Sequence, residues 1–191
     1  KQKLIQLHTN TSEQLLQFIA AVSEKSLLDL TPHAEVYYLV EMTQKVAAPL
    51  SEVLGQLRAN GTAILRTGNR NEVVLGALHG LYSTAKYREA WIHKSIKLVA
   101  EYNPILAAKL DELATKEINL SQAFDTLYKS LISQGLGRTG DAPAYSVAIT
   151  KYIDAVHDLL RMGNTTILEN LEKRHSMMLL RQWTVLILTI L

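Results

Sequence analysis

The sequence predicts an all-α protein, an elongated antiparallel bundle of about five long helices, either as one bundle or as two stacked four-helix modules. Hydrophobic residues make up 48% of the 191 residues but aromatic residues only 6%. The core is therefore expected to consist mainly of Leu, Ala, Ile and Val, as in helical bundles. Apolar residues also recur at steps of three and four over long stretches, which is the periodicity of helices. Three of the four prolines stand near expected helix starts.

Two helices are expected before residue 68, separated by a turn at Thr31-Pro32. The first covers residues 3–29, and its inward face is expected to carry Leu4, Leu7, Leu15, Ile19, Val22 and Leu27. The second covers residues 33–67 and has the longest apolar ladder: Val36, Leu39, Thr43, Val46, Leu50, Val53, Leu57, Gly61 and Ile64. Pro49 lies inside this ladder, whose phase continues on both sides. We therefore expect a kink there and not a break.

A loop over residues 67–71 leads into a helix that begins at Glu72, and Tyr102-Asn103-Pro104 separates it from the next helix. Each of these two helices has an apolar ladder with one charged residue in it, Arg88 in the first and Glu117 in the second. When the two helices are folded back on one another about Asn103, these two residues face each other. The prediction is an antiparallel hairpin with a partly buried Arg88–Glu117 pair. The alternative is that Arg88 binds an anionic ligand in the bundle core.

The last helix is expected after a linker at residues 135–143, and it either bends at Gly163 or continues unbroken. Its end reads WTVLILTIL, with no charge after Arg181. This predicts a domain over residues 1–180 and the start of a transmembrane helix at 181–191, with Arg181 and Trp183 at the water–lipid boundary. The alternative is a buried terminal helix. A domain whose chain leaves the membrane and returns to it needs an even number of antiparallel helices. Five helices of which the last enters the membrane would therefore indicate a further helix before Lys1, unless the chain reverses at Gly163 or the linker is a long crossover.

The composition excludes several classes of function. A formal net charge of +2 with scattered basic residues gives no argument for nucleic-acid binding, and the absence of cysteine excludes disulfides and thiolate metal sites. Neither a dinucleotide-binding glycine motif nor a P-loop nor a zinc-protease motif occurs. His79 and His93 could share a helix face, but no carboxylate at a suitable spacing completes a metal-ligand pattern. We therefore expect no enzyme, no cofactor and no metal.

Two stretches resemble a known class of receptor. Residues 26–41 (SLLDLTPHAEVYYLVE) and 48–68 (APLSEVLGQLRANGTAILRTG) resemble the all-helical extracytoplasmic domains of bacterial transmembrane receptors, the methyl-accepting chemotaxis proteins and sensor histidine kinases. The matching positions are Ser26, Leu27, Leu30, Tyr37, Tyr38, Leu39, Pro49, Leu54, Gly55, Arg58, Gly61 and Gly68. The chain departs from the pattern where Thr31 precedes Pro32, where Ala59 follows Arg58, and where Asn60 replaces an apolar residue.

This resemblance implies a periplasmic or extracellular domain of an inner-membrane receptor. Such a domain would form a homodimer and respond to a small-molecule ligand or to a periplasmic binding protein. Its last helix would pass through the membrane to a HAMP-type relay and a cytoplasmic signalling domain. A ligand that favours one of two bundle packings would shift that helix.

The candidate ligand-binding residues are Arg58, Asn60, Tyr38, Arg88 and Trp91. Arg58 flanks the ladder beside Asn60 and a glycine, which leaves room for a small anion or polar molecule; the alternative is a boundary salt bridge. Tyr38 is alternatively a core aromatic residue. Arg66, Arg70, Lys86 and Trp91 are equally compatible with an exposed surface.

Two functions therefore remain open. One is a receptor domain that senses a ligand or partner, and the other is a membrane-anchored structural or scaffolding bundle without a ligand.

Overall fold

The computed structural model describes residues 2–26, 33–133 and 141–190, and within these residues every regular element is helical. The expectation of an all-α bundle is confirmed. In chain order the elements are α1 (Gln2–Lys25), α2 (Ala34–Val40), a π-helical segment (Glu41–Ala47), α3 (Ala48–Thr67), α4 (Glu72–Tyr102), α5 (Pro104–Ser133) and α6 (Ala142–Ile190). The expected turn at Thr31-Pro32 and residues 135–140 of the expected linker lie outside the described residues.

Four helical rods form the bundle: α2 to α3 with the π-helical segment between them, then α4, α5 and α6. The first rod packs against α4 and α6, and α5 packs against the same two helices. Each rod therefore has two neighbours around a single core, so we find one continuous bundle and not two stacked modules. The largest fully buried side chains are Tyr145, Tyr152, Phe124, Leu39, Met42, Leu50, Leu54, Leu57, Leu78, Ile92, Leu110 and Leu131.

Local sequence explains the helix ends. Gly68 terminates α3 with a φ of 69°, a left-handed conformation that glycine adopts without a steric penalty. The side chain of Asn71 accepts a hydrogen bond from the Val74 amide at 2.9 Å and so caps α4. Asn103 caps α5 and Asp141 caps α6 in the same way. Helix α6 therefore begins at Ala142, so the expected linker ends earlier than its composition indicated.

The rod through Pro49 is not broken, as expected, and it contains the π-helical segment Glu41–Ala47 just before the proline. In an α-helix the carbonyl of Lys45 would accept a hydrogen bond from residue 49, but proline has no N–H. Arg88 of α4 supplies a donor instead, since its Nη1 lies 3.2 Å from that carbonyl oxygen. Leu50, Leu57 and Ile64 are buried as expected. Ala47 and Leu54 are also fully buried, whereas Val46 and Val53, which were expected to face inward, are only half-buried.

The predicted Arg88–Glu117 pair is therefore wrong. Glu117 lies beside His93, with 3.2 Å between Oε2 and Nε2. The hairpin itself is present, but its contacts are displaced: His93 is ten residues before Asn103, whereas Glu117 is fourteen residues after it. Helical side chains lean toward the N-terminus, which on α4 is away from the turn and on α5 is toward it. Simple folding about Asn103 ignored this lean.

Helix α1 packs only loosely against the first rod. Its apolar residues were expected to face inward, but Leu7, Leu15 and Val22 are 63%, 59% and 48% exposed, as is Phe18 at 65%. The side toward the bundle mixes polar and apolar residues: Ser23 is the one buried residue among the described side chains of α1, and Thr9, Ser12, Leu16 and Ile19 are half-buried. Of the other expected positions, Ile19 is half-buried, whereas the side chains of Leu4 and Leu27 lie outside the described residues.

Helix α6 is continuous from Ala142 to Ile190 and does not break at Gly163. Two glycines let it approach the first rod closely. A Cβ atom on Gly163 would lie 2.4 Å from Cγ2 of Thr43, and one on Gly61 would lie 2.3 Å from Oη of Tyr145.

Beyond Leu171 the side chains of α6 are mostly exposed, including Met178 at 56%. The apolar exposed residues of this distal part are Met177, Met178, Leu179, Leu180, Trp183, Val185 and Leu186. A search of the helices over the described residues found none with a stretch of sufficient length and hydrophobicity to span a bilayer.

Candidate functional site

A strip of polar side chains runs along the interface of α4 and α5, and we call it the polar seam. Its members on α4 are His79, Tyr82, Lys86, Glu89 and His93, and on α5 they are Glu117, Ser121, Asp125 and Tyr128. The spacing on α4 alternates steps of three and four residues, so these side chains lie on one face of the helix. The seam occupies a position that a simple bundle would fill with apolar residues.

Glu89 is held at the centre of the seam by donors from three helices. Its Oε2 accepts hydrogen bonds from the Ser121 hydroxyl at 2.9 Å and from the Tyr152 hydroxyl at 3.2 Å. Lys86, one turn away on α4, lies 2.5 Å from the same oxygen. Because Tyr152 belongs to α6, this carboxylate links the α4–α5 interface to the longest helix.

Along the polar seam, Lys86 lies on one side of Glu89, and His93 and Glu117 lie on the other side. The Glu117 side chain is fully buried, whereas that of His93 is 25% exposed. Although Nε2 of His93 lies 3.2 Å from Oε2 of Glu117, neither atom has a partner with hydrogen-bond geometry, and neither does Oε1 of Glu117. A buried carboxylate is unfavourable unless a donor or a cation compensates it, and the imidazole of His93 is such a cation only when it is protonated.

The electrostatics of the seam follow from these contacts. The close approach of the Glu117 carboxylate raises the pKa of His93, whereas burial works in the opposite direction. Burial, followed by the charges of Glu117 and Glu89, raises the pKa of Tyr152 far above its ordinary value. Tyr152 therefore stays protonated and can act as a donor to Glu89.

The far end of the seam is aromatic. The rings of Tyr82 and Tyr128 stack with their centroids 3.9 Å apart, and Nδ1 of His79 lies 3.0 Å from the Tyr128 hydroxyl. Burial, followed by the charge of Asp125, raises the pKa of Tyr82 to about 12. Lys86 lies 3.2 Å from Asp125 and so connects this end to the centre.

The five ligand-binding candidates from the sequence do not share one site. Arg58 is half-buried and donates a hydrogen bond to Thr150 of α6 at 3.1 Å, whereas Asn60 is exposed. Tyr38 is half-buried with its ring 6.1 Å from that of Tyr102. Twenty residues separate Tyr38 from Arg58 along one rod, which corresponds to about 30 Å.

The other two candidates lie on α4. Arg88 donates to the backbone of the π-helical segment, as described above. Trp91 is 37% exposed, and the ammonium of Lys94 lies 4.1 Å from the centroid of its ring. Two residues expected at the surface are instead enclosed: Arg70 is only 4% exposed, and Lys86 is half-buried in the polar seam.

Sequence analysis missed the centre of this site. Glu117 was assigned to an inward face, but Glu89, Ser121 and Tyr152 were not considered. A polar repeat at residues 79, 82, 86, 89 and 93 was the available signal, because it has the same helical spacing as the apolar ladder beside it. The inference that no carboxylate complements His93 was wrong, since the structure places two carboxylates beside it. Glu89, His93 and Glu117 each offer one ligand atom, and these atoms lie within 4.8 Å of one another.

Comparison of the chain with protein families, with characterised proteins and with solved structures gave no match.

Proposed function

We propose that this chain is the extracytoplasmic sensor domain of a bacterial transmembrane receptor, and that α6 carries the signal out of the bundle. The continuity of α6 supports this most directly: it contains 49 residues and is therefore about 73 Å long. Its first half supplies Tyr145, Tyr152 and Leu159 to the core, whereas its distal part is exposed. A displacement of the buried half is therefore transmitted to the far end of the same rigid helix.

The polar seam provides a route from a ligand to α6. Tyr152 is the member of α6 that donates to Glu89, so any molecule that changes the position or charge of Glu89 changes a contact of α6. A shift of about 1–2 Å is typical of such helix movements. Its free energy is limited to the difference between the ligand's affinities for the two bundle packings.

The proposed receptor is a homodimer in the inner membrane, with this domain in the periplasm or outside the cell. The exposed apolar faces of α1 and of distal α6 support a second copy or another partner. Residues 181–191 would begin the membrane helix, with Arg181 and Trp183 at the interface, and a cytoplasmic signalling domain would follow in the complete receptor. Small molecules or a periplasmic binding protein remain the proposed stimuli.

The experiment measures whether a bound compound moves α6. The chain has no cysteine, so nitroxide labels can be attached to exposed positions by S83C on α4 and S176C on distal α6. A thermal-shift screen against amino acids, organic acids, purines and inorganic anions selects the probe compound. We expect that compound to shift the distance between the two labels by about 1–2 Å.

The control is a second label pair, S83C with T126C on α5, whose distance should remain unchanged. If no compound raises the melting temperature and a pull-down recovers no periplasmic partner, the scaffolding function replaces the sensor. If a compound binds but neither distance changes, signalling through α6 is refuted.

A further inference from the structure

We propose that Glu89, His93 and Glu117 form a binding site for one divalent transition-metal ion, with Zn²⁺ as the reference ion. This inference does not depend on the receptor function, because it rests on the side chains alone. It reverses the sequence-based expectation that the chain binds no metal. Helix α4 supplies two ligands separated by one turn, and α5 supplies the third.

The spacing of the side chains suits a shared ion. Ligands at about 2.0–2.2 Å from Zn²⁺ lie roughly 3.0–3.5 Å from their neighbours in tetrahedral or octahedral geometry. The distance between Nε2 of His93 and Oε2 of Glu117 is 3.2 Å, which falls in this range. All three ligand atoms lie within 4.8 Å of one another. Side-chain rotations that bring these three atoms closer together would allow all three to coordinate one ion.

The burial of Glu117 is the independent observation that indicates a ligand. Its side chain has no exposed surface, and neither carboxylate oxygen has a hydrogen-bond partner. An ionised carboxylate in such a place carries a large desolvation penalty unless a cation compensates it. The close approach of Nε2 and Oε2 without hydrogen-bond geometry is what two groups directed at a common third atom produce.

The net charge of the polar seam is compatible with one bound divalent ion. Three carboxylates, those of Glu89, Glu117 and Asp125, are accompanied by a single ammonium, that of Lys86. With a neutral His93 the cluster carries two uncompensated negative charges, which one divalent cation neutralises. With a protonated His93 and no metal, one negative charge remains in the interior.

The surroundings also resemble those of metal sites. Ser121 and Tyr152 donate to Glu89 and fix its carboxylate, as hydrogen bonds around ligating groups generally do. One imidazole and two carboxylates favour Zn²⁺, Fe²⁺ or Mn²⁺ over the soft ions that prefer sulfur. The partly exposed ring of His93 provides a route from solvent.

The test uses the whole chain without a histidine tag, freed of metal with a chelator. Isothermal titration with Zn²⁺ should show one ion bound per chain, and Zn²⁺ should raise the melting temperature. E117Q and H93Q should each weaken binding by at least about tenfold, because each removes a ligand and the loss of an outer hydrogen bond alone already costs about 10–100-fold. The matched controls, E112Q and H175Q, change exposed residues of the same types and should bind as the parent does.

X-ray absorption of the Zn²⁺-loaded parent protein provides a measurement that does not depend on variants that fold. We expect a single imidazole in a coordination shell of nitrogen and oxygen atoms. The proposal is overturned if Zn²⁺ and Mn²⁺ both fail to bind stoichiometrically, if two or more imidazoles coordinate, or if E117Q and H93Q bind as tightly as the controls. In those cases the cluster is a buried His93–Glu117 ion pair or a protonated carboxyl group.

Discussion

Replacement of Gly61 by alanine should separate α3 from α6. The new Cβ atom would lie 2.3 Å from Oη, 2.4 Å from Cζ and 2.5 Å from Cε1 of Tyr145, whereas ordinary contact begins at 3.4 Å. The two helices must therefore move apart by about 1 Å, or the ring must leave its place. Tyr145 is only 1% exposed, so the ring has no free space to enter.

The size of the effect follows from two losses. Overpacking of a well-filled interior costs about 1–3 kcal/mol. The displaced ring would also lose the hydrogen bond from its hydroxyl to the Leu57 carbonyl, which has a length of 3.1 Å, at a further cost of about 0.5–1.5 kcal/mol. Together we expect a loss of about 2–4 kcal/mol in the free energy of unfolding. In a chain of this size the melting temperature would fall by roughly 5–15 °C.

Gly55 offers a control on the same helix. A Cβ atom there would have no other atom within 4 Å, so G55A should stabilise the protein by about 0.5–1 kcal/mol through its helix propensity. Urea denaturation followed by circular dichroism at 222 nm measures both variants. If G61A is as stable as G55A, the close contact with Tyr145 is not a feature of the native state and the packing argument fails.

Two further substitutions test single interactions. R88M should lower the free energy of unfolding by about 0.5–1.5 kcal/mol, because it removes the hydrogen bond to the Lys45 carbonyl. In a P49A background the loss should be clearly smaller, since residue 49 then has an N–H for that carbonyl. If a double-mutant denaturation cycle gives equal losses in both backgrounds, that role of Arg88 is refuted. D158N should cost less than about 1 kcal/mol, because the contact of Asp158 with Lys116 at 2.8 Å is exposed to solvent. Lys116 lowers the pKa of Asp158 from its ordinary value of 3.8. The contribution is therefore present at neutral pH and disappears as the pH falls through that lowered value, which denaturation at pH 7 and pH 2.5 would measure.

Much of the fold could be predicted because it depends on periodicity. The helices that carry long apolar ladders lie within a few residues of their expected positions. The buried apolar residues of α4 and α5 recur mostly at steps of three, four and seven, as helical periodicity predicts. Helix-terminating residues were also informative, since Gly68 and Asn103 end α3 and α4 as their chemistry indicates. These signals are local and need no knowledge of neighbouring helices.

What could not be predicted depends on the relation between helices. The face that α1 turns toward the bundle is set by its packing partner, and the apolar periodicity did not identify it. On the first rod the buried face includes Ala47 and Leu54, where the periodicity indicated Val46 and Val53. Pairing across the α4–α5 hairpin depends on the lean of side chains, and this error assigned Arg88 to Glu117.

The site was missed because polar residues at helical spacing are usually interpreted as a solvated face. Tyr152 belongs to a third helix, and no pattern in the sequence relates it to Glu89. The same reasoning changes the interpretation of Arg58, whose guanidinium bonds to α6 and not to an open pocket. A charge at the boundary of the core that has a hydrogen-bond partner, such as Arg58, can be explained as packing. The carboxylate of Glu117 is fully buried and neither of its oxygens has a partner with hydrogen-bond geometry. For that reason Glu117 beside His93 is a stronger indication of a ligand than any of the arginines, and measurements of binding should begin there.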